Sequence, residues 1–87
     1  MSVWVDPLKD YGWRLGPSCH LMADTEDELH EFAARIGLRR SWFQRHPRLW
    51  HYDLTASRRT RAVALGALEL DIRESVKRAG NRARTAA

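Results

Sequence analysis

The sequence predicts an α/β fold: a small single domain in which helices flank a mainly parallel sheet of three or four strands. Three observations carry this. Short β-prone runs at residues 2–5, 18–22 and 50–54 are separated by a segment whose apolar residues recur at helical spacing. The helical segments start at threonine and stop at glycine. With 87 residues, 44% of them hydrophobic and 30% charged, the chain suits one modest core burying about 60–65% of its unfolded surface.

The first strand, Ser2–Val5, ends at Asp6-Pro7, because proline removes a ladder donor and holds Asp6 extended. Leu8–Pro17 is an ordered loop punctuated by Gly12 and Gly16, with Trp13 either a lid over the core or a stacking surface. Ser18–Met22 is the second strand, carrying His20. Thr25 followed by Glu28 forms a capping box opening a helix over Thr25–Ile36, with negative charge at the positive end of its dipole. Leu29, Phe32, Ala33 and Ile36 make its buried stripe, and Gly37 ends it.

A basic-aromatic connection follows, with a short turn expected around Ser41–Arg45. Trp50–Leu54 is the third strand, expected to pair in parallel with the second as α/β units do. Thr55 or Ser57 caps a second helix ending at Gly66. Leu68, Leu70 and Ile72 alternate with acids in a half-buried fourth strand over Ala67–Ile72. Arg73–Ala79 is a short third helix stopped by Gly80, which makes residues 1–80 the domain and residues 81–87 a frayed basic tail. Right-handed crossovers would place Asp6, Asp24 and Asp53 together at the carboxyl edge of the strands, where such sheets bind ligands.

Net charge is +4, and its distribution is uneven. Acids crowd residues 6–31, whereas arginines dominate Arg35–Arg61, with Asp53 the one acid there. That polarity points to an anionic partner, most simply a nucleotide or nucleic acid, against the plainer reading of a solvated basic surface. A single cysteine, Cys19, excludes an internal disulfide and favours a reducing cytoplasm. No run reaches the roughly 18 apolar residues of a membrane helix, and no early stretch resembles a signal peptide, so no membrane partner is expected.

Two constellations carry chemistry. In the first, His20, His51, Asp53 and Asp6 converge on one edge as candidate catalytic groups. Two-residue periodicity sends His51 and Asp53 to the same face of their strand. Imidazoles with carboxylates suit general acid–base work or a divalent metal, but no tight metal motif is present, so neither metal nor cofactor is named. His30 flanks the first helix's stripe and belongs either to this site or to the core. In the second, Arg39, Arg40, Arg58 and Arg59 are candidate phosphate ligands, with Tyr52 and Trp42 contacting the rest of the ligand. The plainer reading gives Trp42, Phe43 and Trp50 to the core. Cys19 and His20, adjacent in a strand, face opposite ways and do not form a nucleophilic pair.

Val5-Asp6-Pro7, the run His20–Thr25, Glu28–Gly37, His51-Tyr52-Asp53 and the Ala62–Ala67 segment together resemble one bacterial and phage family, domain of unknown function 4031. The likeness spans Val3 to Gly80. In some relatives the domain is joined to a phosphohydrolase-type domain, which implies nucleotide or phosphate metabolism.

The expected function is binding of a phosphate-bearing ligand at the strand edge. The alternatives are a phosphodiesterase or phosphohydrolase using the His/Asp groups, or a protein-interaction module with exposed tryptophans as anchors. Separately, the small core and the four tryptophans are consistent with a homodimer.

Overall fold

The computed structural model describes Ser2–Thr85. The elements in order are β1 (Val3–Val5), β2 (Ser18–Ala23), α1 (Glu26–Arg35), a 3-10 turn (Arg40–Trp42), β3 (Tyr52–Thr55), α2 (Ala56–Ala64), β4 (Leu68–Glu69) and α3 (Ile72–Thr85). The small α/β class holds, with three helices on a four-stranded sheet of order β3-β2-β1-β4.

The sheet is not mainly parallel. β2 runs antiparallel to both β1 and β3, and only β1 with β4 is parallel. The loop after β1 is the first cause: it folds back as a wide hairpin, closed where Lys9 and Ser18 exchange backbone hydrogen bonds at 2.9 Å. The second cause lies beyond α1. That helix carries the chain back along β2, and residues 36–51 then return it once more. The 3-10 turn and the Gln44–His51 bridge shape that return, so β3 enters the sheet reversed.

Local signals set the helix ends. Thr25 Oγ1 accepts the Glu28 N–H and donates its own proton to Glu28 Oε1. At the other end Gly37, at φ +83°, closes a Schellman turn: the Leu38 N–H bonds the Ala33 carbonyl and the Gly37 N–H bonds that of Ala34. Gly66, at φ +107°, repeats the motif after α2, whose cap is Thr55.

Helices cover both sheet faces. Val5, Leu21, Tyr52 and Leu54 pack against Leu29 and Phe32 of α1 and Ala62 of α2 in the main core. On the opposite face Trp4 and Met22 are covered by Ala79 of α3. There the Trp4 Nε1–H donates to Ser75 Oγ at 3.0 Å.

Several element boundaries differ from expectation: β3 begins at Tyr52 and not Trp50, the turn is Arg40–Trp42, and the largest differences are at β4 and α3. β4 is only Leu68–Glu69. Leu68 and Ile72 are exposed, because the chain leaves the sheet after Leu70 donates to the Val5 carbonyl and starts α3. Gly80 does not stop α3. It keeps a helical backbone, and the helix runs on because Arg82 is buried, bonding the carbonyls of Ala23 at 2.9 Å and Trp50 at 2.6 Å. The expected frayed tail is therefore helix as far as Thr85.

Candidate functional site

The antiparallel register builds the site. Val5 sits opposite Leu21, so Asp6, the next residue along, lies beside His20. His20 is in turn paired with Asp53. Residues directly opposite across strands share a face, so Asp6, His20 and Asp53 form a row across three strands. His51, two residues before Asp53, joins them. The row lies on the sheet face of Trp4 and Met22, beside the N-terminal turns of α3.

Each ring is held by its Nδ1. Asp6, 5% exposed, accepts the His20 backbone N–H on Oδ1 and the ring Nδ1–H on Oδ2, both at 2.7 Å. His51 Nδ1 donates to the Leu49 carbonyl. The two rings stand perpendicular with centroids 4.6 Å apart, and His51 Nε2 is 3.2 Å from Asp53 Oδ1. One ligand atom from each of His20, His51 and Asp53 lies within 4.8 Å of the others. The Asp6 hydrogen bond raises the His20 pKa, against the opposing effect of burial. The His51 hydrogen bond lowers that of Asp53, again against burial. Proton donors and acceptors with separated affinities stand within one cluster.

Two concavities meet these groups. A cavity of about 150 Å³ is bounded by Tyr11, His20, His46, His51 and Val76. A larger groove of about 430 Å³ is bounded by Trp13, Arg14, Ser41, Trp42, Asp53 and Arg58, and falls within the size range of small-ligand sites. Asp53 reaches the groove, whereas His20 and His51 line the cavity. On the groove's wall Trp42 is 42% exposed, with the Arg58 guanidinium 5.3 Å and that of Arg39 5.8 Å from its ring centroid.

His20, His51, Asp53 and Asp6 thus come together, but on one sheet face and not at the expected carboxyl edge, because β2 runs antiparallel to both of its neighbours. Arg39 and Arg58 gather at Trp42, while Arg40 lies exposed in the 3-10 turn. Three expected placements are corrected. Tyr52 is buried on the opposite face with its hydroxyl 2.8 Å from His30 Nδ1, because the periodicity that joins His51 to Asp53 sends the residue between them the other way. That contact also assigns His30 to the core. Arg59 is consumed internally, its Nε donating to the Asp6 carbonyl and its Nη1 to Glu69. Asp24 lies at the other end of the sheet, where it accepts the Ser2 N–H, because β1 and β2 run in opposite directions.

Phe43 and Trp50 pack against the main core, whereas Trp13 and Trp42 form the groove surface. Sequence reasoning missed Arg14 and Gln44 on the groove, Tyr11 and His46 at the cavity, and the Leu49 carbonyl behind His51. No spacing rule marks them. The first helix-free loop and the 36–51 connection deliver them by tertiary folding alone.

Among the described residues no helix is long and apolar enough to cross a membrane. The family model described as a protein of unknown function (DUF4031) matches residues 3–82, nearly the whole chain. The chain belongs to that family. No curated protein and no solved structure matches it.

Proposed function

We propose that this DUF4031 protein binds a phosphate-bearing ligand, a nucleotide or a single nucleic-acid strand, in the groove between Trp13 and Trp42. The observation that carries this is Trp42 itself: a large exposed ring with two guanidinium groups gathered on it, at the rim of a nucleotide-sized groove. Aromatic faces stack on bases of any sequence, and arginine forks take phosphate oxygens in pairs. Arg58 adds a second argument. It stands in the first turn of α2, which holds no acid, so its charge opposes the helix dipole until an anion arrives.

Tryptophan emission tests this. Adding a nucleoside monophosphate or a short single-stranded oligonucleotide should quench it, and the affinity should fall as salt rises. Unchanged emission at low salt, with no other sign of binding, would refute the reading.

A second reading, hydrolysis of a phosphodiester, is favoured by one further observation: the His20–His51–Asp53 cluster shares Asp53 with the groove. In that reading, with the cluster free of metal, His20 is oriented by Asp6 and passes a proton from Nε2 to the leaving oxygen as water attacks phosphorus. Release of nitrophenol from bis(4-nitrophenyl) phosphate, lost in Asp53→Asn, is the expected sign. Ligand binding without turnover would leave the protein a binding module.

A further inference from the structure

We propose that His20, His51 and Asp53 together hold one divalent transition-metal ion of the zinc type, bound through the Nε2 atoms of both histidines and the Asp53 carboxylate. The inference stands on the cluster's own geometry and does not depend on what occupies the groove.

The orientation of the rings is the first argument. Histidines that ligate metals through one nitrogen characteristically donate the other ring N–H to a carboxylate or a backbone carbonyl. Both forms are present side by side: His20 Nδ1 to the Asp6 carboxylate, and His51 Nδ1 to the Leu49 carbonyl. Each leaves Nε2 as the remaining ring nitrogen, with a free lone pair in the neutral tautomer.

The proton count at His51 is the second. A neutral imidazole donates from one nitrogen only. His51 nevertheless has oxygen acceptors at both, the Leu49 carbonyl at Nδ1 and Asp53 Oδ1 at Nε2. A cation between Nε2 and the carboxylate gives each a favourable partner without a second ring proton.

Spacing and donor type are the third. One ligand atom from each of the three residues already lies within 4.8 Å of the others. Tetrahedral zinc with bonds near 2.1 Å requires separations of about 3.4 Å, a contraction within the reach of side-chain torsions. Two imidazoles and one carboxylate select zinc and its neighbours over magnesium and calcium, which take oxygen donors. Three protein ligands leave at least one coordination position open, as in metal sites that act on a substrate or a water. Asp53 borders the groove and both histidines border the cavity, so an exogenous oxygen has two approaches to that position.

Cobalt(II) is the probe, titrated into the full chain after chelator treatment and followed by its ligand-field absorption. The expected result is saturation at one ion per chain, reversed by zinc. His51→Ala and Asp53→Asn should abolish the bands, and Asp6→Asn should weaken binding about 10- to 100-fold. Circular dichroism in chelator checks that each variant is folded, and Asp53→Asn, at a half-exposed position, keeps the test valid if His51→Ala unfolds. Glu31→Gln, which alters an exposed acid on α1 outside the cluster, should leave the titration unchanged. Absence of stoichiometric binding would overturn the proposal. So would binding that survives Asp53→Asn undiminished, or that is lost in Glu31→Gln.

Discussion

The Asp6 carboxylate grips His20 at two points, one oxygen on the backbone N–H and the other on ring Nδ1, each at 2.7 Å. A buried acid at the end of β1 therefore fixes both the position and the tautomer of a histidine on β2. The sign of its effect on stability follows from linkage. His20 titrates above its ordinary value of 6.5 in the folded chain, chiefly through the Asp6 hydrogen bond. Between that value and the raised one the native state holds more protons than the unfolded state, so stability falls as pH rises. The contribution is complete below pH 6.5 and lost above the raised pKa. Urea unfolding of the metal-free protein across this range should show the decline, and Asp6→Asn should flatten it. A slope unchanged in Asp6→Asn would show that the pair does not carry the linkage.

Cys19 occupies the position beside His20 on the other face, 1% exposed within the main core. Burial pushes its thiol up to about 12. Thiolate is the reactive form, so a thiol reagent near neutral pH should label the native protein very slowly and the urea-unfolded protein at once. Rapid native labelling would place this strand outside the core.

Arg82 ties the end of α3 to the sheet. Its guanidinium lies 3.3 Å from the Trp50 ring centroid and bonds the carbonyls of Ala23 and Trp50. Arg82→Ala should cost about 2–4 kcal/mol in urea denaturation, since charged hydrogen bonds and buried stem packing are lost together. Arg61→Ala, at an exposed site on α2, should change stability by less than about 0.5 kcal/mol. Equal effects would mean that α3 is not anchored through Arg82.

What the sequence revealed and what it concealed divide along the range of the interactions. Thr25, Glu28, Gly37, Thr55 and Gly66 act on neighbours a few residues away, and the helix ends they predict are found. The joining of His20, His51 and Asp53 was also legible, through strand alternation and the expectation that β2 and β3 are adjacent. Their direction was not, because it depends on how residues 36–51 double back, and no local signal encodes that path. Gly80 misled for a related reason. A glycine near a helical pattern favours a stop, but the long-range bonds of Arg82 outweigh that preference. Arg59 and Arg58 are adjacent in sequence, and only the fold separates the one bound to the Asp6 carbonyl from the one facing the groove.

The central claim is that the groove, and not basic charge in general, takes the phosphate-bearing ligand. Its most direct measurement is the affinity of a short single-stranded oligonucleotide for the wild type, Trp42→Ala, Arg58→Ala and Arg61→Ala at one fixed salt concentration. Stacking on Trp42 predicts a loss of about 1–3 kcal/mol in Trp42→Ala. Arg58→Ala should also weaken binding and lower the salt dependence by about one ion, while Arg61→Ala should bind nearly as the wild type does. Equal, small losses in the two arginine variants with none in Trp42→Ala would contradict the account and leave only diffuse charge attraction.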